Sequence, residues 1–364
     1  MRILLATDAW EPQVNGVVRT LARTVAECRA MGHEIEVVSP DQFKTLPLPT
    51  YPEIRLAMGA YEPMQERFKA FEPEAIHIAT EGPVGLAARR LCIEWKLPFT
   101  TSYHTRFPEY VAARLPAPVS AGYAYMRWFH RASGRVMVAT PTMREELTRR
   151  GFRNLSPWSR GVDTALFHPD RAAEFPHLLE GVARPVFLNV GRVAPEKNVE
   201  AFLALDLPGS KVIVGDGPSR EPLQARYPEA LFVGTKSGEE LAAYYAHADA
   251  LVFPSLTDTF GLVILEAMAA GAPVAAYPAP GPIDIIPGSG AGEVNQDLRQ
   301  ACLDCLKFDR AAVRRYAEGF SWRQSAEEFV LNLQPYPEPA KTRFWRRLRR
   351  LARLRRRAGR TAAG

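Results

Sequence analysis

Short apolar runs alternate with helix-like segments along most of this 364-residue chain, and that alternation limits its fold more than any other feature. Short apolar runs in which polar residues do not alternate with apolar ones are typical of strands buried on both faces. The predicted strands are 3–6, 34–38, 75–78, 99–102 and 135–139 in the first half and 186–190, 211–214, 230–233, 250–253 and 273–276 in the second. Parallel sheets with helices on both faces give this pattern, so the predicted fold class is α/β.

Two domains are expected at this length, since a single hydrophobic core seldom exceeds about 250 residues. We place the first domain at 1–170 and the second at 183–319, with a polar, proline-containing stretch between them. Residues 335–364 are predicted to be a proline-broken spacer followed by a basic amphipathic tail. Two α/β units of this kind enclose a cleft, which is where a ligand is expected.

The positive charge of the chain is concentrated in that tail. The formal net charge is +6, but eleven lysines and arginines and no acidic residue lie between Lys341 and Arg360, which leaves 35 basic and 40 acidic residues elsewhere. An acidic body does not suit nucleic-acid binding. Four cysteines are too few for a disulfide scaffold, and Cys302-Leu-Asp-Cys305 lacks the second ligand pair of a structural zinc site, so reduced thiols in a cytoplasmic protein are expected.

The first residues reach Asp8 after only a short apolar run, which indicates a first strand and not a signal peptide. No run of about 18 consecutive apolar residues is present, so no membrane-spanning helix is predicted.

One carboxylate stands inside an apolar helix of the second half. Residues 251–253 are predicted to be a buried strand, Thr257–Thr259 a turn with capping residues, and 261–270 a helix closed by Gly271. Glu266 lies in the middle of that helix, and acidic side chains are seldom buried without a partner. Either Glu266 meets an internal partner, or it faces a cleft where a ligand supplies donors. The strand-to-helix junction favours the ligand.

Two cations follow the first strand of the second half, in the loop Gly191-Arg192-Val193-Ala194-Pro195-Glu196-Lys197-Asn198. Arginine offers a planar fork for phosphate oxygens and lysine a mobile point charge, so Arg192 and Lys197 suit a diphosphate. A solvated surface turn is the alternative for this loop taken alone.

After the next strand, Gly215-Asp-Gly-Pro forms a tight turn, but Arg220 stands where a dinucleotide fingerprint needs a small residue, which disfavours a dehydrogenase.

Three segments of the first half carry weaker signals. Asn15 and Gly16 open a helix after the first strand, where Asn15 caps the helix and Gly16 permits close approach of an anion or a sugar, unless this is a plain connecting loop. His104 lies just beyond a strand among hydroxyl and aromatic groups, so it is either a ligand contact or a structural histidine. Arg160-Gly-Val-Asp163 is a turn near the domain junction, and Arg160 and Asp163 are either ligand contacts or hinge residues.

Taken together, these segments resemble family 4 of the retaining glycosyltransferases, which have the two-domain GT-B fold. The resemblance covers Ile3 to about Phe329 and is carried, in chain order, by PQVNGVVRT, SYHTRFPEY, RGVDTALFHP, GRVAPEKN, GDGP and DTFGLVILEAMAAGAPV. It is strongest to bacterial glycolipid and mannosyl transferases. It implies two facing Rossmann-like domains, the first for the acceptor and the second for the nucleotide sugar, and a helix within 320–334 that packs back on the first domain.

The resemblance also implies roles for individual residues. Arg192 and Lys197, in the loop that starts at Gly191, would bind the donor diphosphate, and Glu266 would accept hydroxyls of the ribose. The transferred sugar would be held by Asp258 with the start of the next helix, at Phe260, Gly261, Leu262 and Val263. Gly16 would approach the donor phosphate from the other domain, and His104 would lie beside the sugar ring. The family usually carries two glutamates eight positions apart, whereas this chain has Asp258 in the first position.

The implied reaction is transfer with retention, in which the leaving diphosphate oxygen takes the proton of the incoming hydroxyl. We find no Asp-x-Asp metal motif, so protein cations are expected to neutralise the diphosphate, and neither a metal nor another cofactor is expected. The donor is expected to be a UDP-sugar or GDP-mannose.

The sequence of the tail predicts a further partner, a membrane surface. On a helical wheel, aromatic and apolar residues fall on one side and arginines on the other, which suits an anionic membrane surface; the main contacts would be Phe344, Trp345, Arg346, Arg349, Arg350 and Arg353. A disordered basic tail is the alternative. With the tail on the inner face of the membrane, the expected acceptor is a lipid such as diacylglycerol, and the apolar segment 110–129 would face the bilayer. A polysaccharide or soluble acceptor, or a non-catalytic membrane-binding protein with this fold, are the competing hypotheses.

Overall fold

The computed structural model describes residues 1–48, 51–112 and 118–336. The strands of the first half are β1 (Arg2–Ala6), β2 (Glu34–Val38), β3 (Lys44–Leu48), β4 (Tyr51–Met58), β5 (Ala75–Ile78), β6 (Thr100–Tyr103), β7 (Arg135–Val138) and β8 (Leu155–Pro157). Six of them form a parallel sheet in the order β2-β1-β5-β6-β7-β8. The other two, β3 and β4, form a separate antiparallel hairpin.

Helices cover both faces of this sheet. They are α1 (Gly16–Ala30), α2 (Tyr61–Phe71), α3 (Pro83–Trp95), α4 (Phe107–Ala112), α5 (Val119–His130) and α6 (Pro141–Arg149), with α7 (Arg171–Glu174) following and α15 (Trp322–Asn332) near the end of the described chain. In β1, Ile3 and Leu5 pack with α1 and α15, whereas Leu4 and Ala6 pack with α2 and α3. This division follows from the alternation of side chains along a strand, and it explains why β1 is apolar from Ile3 to Ala6.

The second half repeats the design. Its strands are β9 (Val186–Val190), β10 (Ser210–Val214), β11 (Leu231–Gly234), β12 (Ala250–Phe253), β13 (Val274–Ala276) and β14 (Gly292–Val294), all parallel in the order β11-β10-β9-β12-β13-β14. Its helices are α8 (Val199–Leu203), α9 (Arg220–Arg226), α10 (Gly238–His247), α11 (Leu262–Ala269), α12 (Pro282–Ile285), α13 (Leu298–Cys305) and α14 (Arg310–Ala317). Leu188 packs with α10 and α11, and its neighbour Phe187 packs with α8, α9 and α13.

In each sheet the chain order of the strands reverses at one point, between β1 and β5 and between β9 and β12. Ligands of open α/β sheets bind outside the carboxyl ends of the strands at such a point. The loop that follows β9 runs from Gly191 to Asn198, and the loop that follows β12 runs from Pro254 to Gly261. The sheet order therefore brings Arg192 and Lys197 beside Asp258, although they are far apart in sequence.

Polar contacts join the two halves near these edges. The Thr259 hydroxyl donates to the His104 carbonyl at 2.7 Å, the Thr142 N–H donates to Asp284 Oδ1 at 2.9 Å, and Arg19 Nη1 donates to Glu266 Oε1 at 2.8 Å. The chain also returns to the first half through α15, which packs against α1. The two halves thus share a cleft bordered by their loops.

The α/β prediction is confirmed, with two parallel sheets that have the GT-B arrangement expected from the resemblance. Strands 34–38, 75–78, 186–190 and 250–253 have the predicted bounds, whereas the strand predicted at 99–102 begins and ends one residue later. The hairpin of β3 and β4 is not predicted, because Pro47 and Pro52 lie in its strands and a proline in a sequence argues against a strand. The polar stretch between the halves contains α7.

The predicted capping by Thr257–Thr259 is wrong. The residue before α11 is Gly261, which has no side chain to cap the helix. The hydroxyls of the two threonines donate elsewhere, Thr257 to the Glu196 carbonyl at 3.1 Å and Thr259 to that of His104. These hydroxyls fix the loop to its neighbours, so they are not available to the first turn of the helix.

The membrane contacts predicted at Phe344, Trp345, Arg346, Arg349, Arg350 and Arg353 lie outside the described residues. Along the described part of the chain, no helix is both long and apolar enough to cross a membrane. The four cysteines are buried thiols.

Candidate active site in the cleft

Lys197 and Asp258 form an ion pair where the loops after β9 and β12 meet. Lys197 Nζ donates to Asp258 Oδ1 at 2.6 Å, and the two side chains are only 25% and 18% exposed. Burial by itself lowers the pKa of Lys197, but the combined attraction of Asp258, Tyr110 and Glu196 outweighs it and leaves the pKa above its ordinary value. The other carboxylate oxygen, Asp258 Oδ2, is buried and has no hydrogen-bond partner among the described residues. A buried acceptor left in this way is costly, and a hydroxyl of a bound ligand would satisfy it.

The loop that carries Arg192 rests on the glycine turn after β10. A Cβ atom at Gly215 would lie 1.8 Å from the Gly191 carbonyl oxygen, so only glycine fits at this contact. On the other side, the Asn198 side-chain amide donates to the Pro254 carbonyl at 3.1 Å, which ties the loop to its neighbour after β12. Arg192 is partly buried within this supported loop. Gly191 and Gly215 therefore hold the backbone in place, and Arg192 and Lys197 supply the charge.

The helix α11 begins beside the ion pair. Gly261 precedes it with φ +88°, a conformation that favours glycine, and as the capping residue it offers the first-turn N–H groups no side-chain acceptor. Phe260 is buried, and Leu262 and Val263 are partly buried. The first N–H groups of a helix have no partner within the helix, and the helix dipole makes this end attractive to anions. The start of α11 thus adds to the positive potential of Arg192 and Lys197.

The first half contributes a second helix start to the same space. Asn15 Oδ1 accepts from the N–H groups of Val17 and Val18, each at 3.0 Å, so the predicted cap is confirmed. A Cβ atom at Gly16 would lie 3.9 Å from Leu262 Cδ1. The beginnings of α1 and α11, one from each half, therefore face each other across the cleft.

Glu266 is buried, with 6% of its surface exposed, and it has two protein partners. Its Oε1 accepts from Arg19 at 2.8 Å, and its Oε2 accepts from the Tyr245 hydroxyl at 2.9 Å. The attraction of Glu266 raises the pKa of Arg19. An ionised carboxylate has about four acceptor positions, so two remain for a ligand. The internal partner and the cleft ligand are therefore compatible.

His104 is placed at the carboxyl edge of the first sheet, with partners for both ring nitrogens. Its Nε2 lies 2.8 Å from Ser102 Oγ, and its Nδ1 lies 3.3 Å from Arg160 Nη2. Because a guanidinium only donates, Nδ1 is the acceptor and the proton is on Nε2. Burial, followed by the charge of Arg160, holds the pKa of His104 well below its ordinary value. His104 is thus a neutral ring fixed by the protein.

Arg160 and Asp163 have structural contacts in the described chain. Arg160 is buried, donates to the carbonyls of Trp158 and Ser159 at 2.7 and 2.9 Å, and stacks on the Trp158 ring at 4.3 Å. Burial lowers the pKa of Arg160 to about 9. Asp163 pairs with Arg23 at 2.7 Å and accepts from the Leu166 N–H at 3.0 Å. These contacts account for both residues through packing at the domain junction.

Three residues of the cleft are not among the predicted site residues. Tyr110 of α4 faces Lys197 and Asp258 and shares a hydrogen bond with Thr257, and burial raises its pKa. Arg19 and Tyr245 hold Glu266. A signal existed for Arg19, because it lies three residues after Gly16 and so on the same helix face. None existed for Tyr245, because its contact arises only when α10 packs on α11.

Among the described residues, no three His, Cys, Asp or Glu side chains gather as a metal site requires. Independence from metal stays a prediction.

Comparison with known proteins supplies the family. Residues 14–166 match a profile described as Glycosyltransferase Family 4, and residues 184–307 match one described as Glycosyl transferases group 1. A GDP-mannose-dependent alpha-mannosyltransferase of Mycobacterium tuberculosis is 32% identical over 312 residues, which are 79% of this chain and 81% of that protein. An alpha-monoglucosyldiacylglycerol synthase of Streptococcus pneumoniae is 27% identical over 348 residues, which are 84% of this chain and 78% of that protein.

Among solved structures, sucrose-phosphate synthase from Thermosynechococcus elongatus matches with a TM-score of 0.70 at 20% identity, over 98% of this chain and 99% of that one. At this identity the likeness shows the fold alone. Both family profiles and the mycobacterial relative support the same assignment, and the charged cleft fits it. The chain belongs to glycosyltransferase family 4, a family of retaining enzymes, and is a hexosyltransferase that uses a nucleotide sugar.

Proposed function

We propose that this enzyme transfers a hexose, with GDP-mannose as the first donor to test and a UDP-sugar as the second, to a hydroxyl group of a membrane lipid. The observation that carries the proposal is the Lys197–Asp258 pair, in which a cation lies beside a buried carboxylate oxygen, Asp258 Oδ2, that has no hydrogen-bond partner among the described residues. A diphosphate and a sugar placed side by side would satisfy both features.

The diphosphate would lie between Arg192, Lys197 and the beginnings of α1 and α11. Each of these groups carries positive charge or polarised N–H groups, and each is partly shielded from water, where such interactions are stronger. Because Gly16 has no side chain, phosphate oxygens could approach the backbone at the start of α1. Charge that develops on the leaving diphosphate would thus meet donors already in place.

The sugar would lie against Asp258, with Oδ2 accepting one of its hydroxyls. In transfer with retention, the bond from the anomeric carbon to the diphosphate oxygen breaks while the acceptor oxygen bonds to the same face of the sugar. The acceptor proton passes to the leaving diphosphate oxygen. Asp258 need not act as a nucleophile, and its pairing with Lys197 suits a positioning carboxylate better than an attacking one.

Glu266 would accept the two hydroxyls of the ribose. Arg19 and Tyr245 each bond one of its oxygens and so orient the carboxylate for this contact. His104, which the resemblance places beside the sugar, would contribute its fixed ring edge and the carbonyl that already binds Thr259. These roles remain proposals for each residue.

The proposed donor and acceptor are supported by the relatives. One relative is named for GDP-mannose and another as an alpha-monoglucosyldiacylglycerol synthase. Within the apolar segment of the first half, Val119 and Trp128 are 36% and 44% exposed, and a tryptophan with one apolar and one polar edge suits a membrane interface. The arginine-rich tail would add electrostatic attraction at about 1 kcal/mol per basic residue near an anionic surface.

Product analysis tests the proposal. The full chain is incubated with GDP-mannose, UDP-glucose or UDP-galactose and with vesicles that contain diacylglycerol in an anionic phospholipid, and lipids are analysed by mass spectrometry. A lipid that gains one hexose is expected with one of these donors. Transfer to a soluble glycan alone would favour the polysaccharide alternative. Absence of any shift in melting temperature with nucleotide diphosphates would favour a non-catalytic protein.

The membrane partner has its own test. Deletion of residues 341–364 removes all eleven clustered basic residues and is expected to release the enzyme from anionic vesicles while nucleotide binding stays the same. Vesicle sedimentation measures the first property and calorimetry the second. Retention on the vesicles after the deletion would contradict a role for the tail.

A further inference from the structure

The carboxylate proposed to bind the ribose is held from both sides of the cleft. Arg19 belongs to α1 of the first half, and Tyr245 belongs to α10 of the second. Each donates to a different oxygen of Glu266, at 2.8 and 2.9 Å. Glu266 therefore connects the two halves at the nucleotide site.

We infer that Arg19 is a positioning residue that orients Glu266 so that the enzyme prefers a ribonucleotide to its 2′-deoxy counterpart. The inference rests on the proposed role of Glu266 as the ribose acceptor. A residue of the first half would thus take part in the selection of the nucleotide that the second half binds.

The orientation of a carboxylate needs such a partner. The terminal torsion of a glutamate is broad, so the side chain alone does not fix the plane of its oxygens. Tyr245 holds Oε2 from the buried side, and Arg19 holds Oε1 from the side of the cleft; the side chain of Arg19 is 37% exposed, against 8% for the side chain of Glu266. With both donors in place, the carboxylate plane is set before a nucleotide arrives.

A fixed plane has a chemical consequence. Each oxygen of Glu266 keeps one unused acceptor position, and the two adjacent hydroxyls of a ribose supply two donors. A 2′-deoxyribose supplies only one and leaves a buried acceptor unsatisfied. A site built to bind a hydroxyl rejects the analogue that lacks it much more strongly than a site that can adjust.

The same helix provides a matched control. One turn after Arg19, Arg23 pairs with Asp163 at 2.7 Å and makes no contact with Glu266 among the described residues. The two arginines share a helix and each has an acidic partner. A general effect of removing an arginine ion pair from α1 would therefore be seen with Arg23→Ala as well.

Calorimetric titration of GDP, UDP and their 2′-deoxy forms into the full chain tests the inference. For whichever base binds, we expect the unaltered enzyme to prefer the ribonucleotide by about tenfold or more, the effect of one hydrogen bond to a charged group. Arg19→Ala is expected to reduce the preference to about threefold or less, since Glu266 then rotates to suit either sugar. Arg23→Ala should keep the full preference.

The possible results are distinct. Equal weakening of both nucleotides by Arg19→Ala would mean that Arg19 acts on the phosphates, and it would overturn the inference, as would an unchanged preference. Arg19→Lys keeps a cation beside Glu266 but loses the planar fork, so it should reduce the preference for the ribonucleotide. It is the variant to use if Arg19→Ala fails to fold. If the unaltered enzyme binds no nucleotide, the proposed function fails, which is a different outcome.

Discussion

The carboxyl edges of the two sheets both carry polar side chains, but they differ in how many of these side chains find hydrogen-bond partners within the protein. At the edge of the first sheet, His77 and His104 lie on either side of Ser102, with ring nitrogens 3.1 and 2.8 Å from its hydroxyl. The outer nitrogens meet Thr100 at 2.9 Å and Arg160 at 3.3 Å. At the edge of the second sheet, Asp258 uses one oxygen for Lys197 and leaves the other buried without a partner among the described residues.

This difference separates a structural network from a ligand site. A chain of hydrogen bonds in which every member has its partner is rigid and gains little from a ligand. A buried acceptor without a donor costs free energy until a ligand arrives, so it marks a place where binding is favourable. We therefore expect substitutions at the first edge to act mainly on folding stability and substitutions at the second to act mainly on catalysis.

The largest effect is expected at Lys197. Lys197→Ala removes a cation from the diphosphate site and leaves Asp258 as an unpaired charge, so kcat/KM for the nucleotide sugar should fall by about 100- to 1000-fold, as when one preorganised donor is lost from an active site. Steady-state kinetics with a defined lipid acceptor measure the change.

The matched control for that change is Lys236→Ala, which removes a lysine of the same domain that pairs with Glu240 at 2.7 Å on the surface. It should leave kcat/KM nearly unchanged. A loss of less than tenfold in Lys197→Ala, with folding intact, would contradict the assignment of the second edge as the catalytic one.

Much of this contrast follows from sequence, but its decisive detail does not. Lys197 is predicted as a site residue because the loop after a strand of an α/β sheet carries ligands, and Asp258 because the family resemblance implies it. The strand order that brings the two together is a property of the fold. The resemblance named His104 as well, yet nothing in its sequence surroundings shows that Ser102 and Arg160 occupy both of its nitrogens. Such partners are set by side-chain packing between elements distant in the chain.

Glu266 illustrates the same limit. Its place in an apolar helix predicts a partner, and the alternatives of protein or ligand stay open until the structure shows Arg19 and Tyr245. The hairpin of β3 and β4 is not predicted for another reason, because proline is unfavourable in strands and both of its strands contain one. Local periodicity identifies the long elements, whereas hydrogen-bond partners between elements require coordinates.

The next effect concerns the stability of the first edge and its dependence on pH. Burial lowers the pKa of His77 to about 3, and that of His104 also lies well below 6.5. Below about pH 6.5 the unfolded chain therefore binds protons that the folded chain does not, and the free energy of unfolding decreases as the pH falls towards the folded pKa values. His77, whose folded pKa is about 3, should remove about 2 kcal/mol at pH 5, and His104 should add to this loss.

Denaturant unfolding between pH 7.5 and 5 measures this slope. His104→Asn removes one titrating group and should make the decline shallower, although the variant starts from a lower stability because Ser102 and Arg160 lose a partner. His177→Asn, at an exposed position, serves as the control and should keep the slope of the unaltered protein. An unchanged slope in His104→Asn would show that the ring is accessible to protons and that the first edge is more open than its contacts indicate.

The smallest effect, and the sharpest test of the second edge, is expected from Asp258→Glu. The added methylene group restores the residue that the family usually carries and moves the carboxylate towards the sugar, while Lys197 can still pair with it. Total activity should change by less than about tenfold, but the ratio of kcat/KM for mannose and glucose donors should shift, because one methylene group alters fit within a shaped pocket by such an amount. Asp258→Asn, which keeps the length but loses the charge, should lower activity for both donors without changing the ratio. If Asp258→Glu leaves the ratio unchanged, the unsatisfied oxygen of Asp258 does not read the sugar. The hydroxyl that donates to this oxygen must then belong to the acceptor substrate.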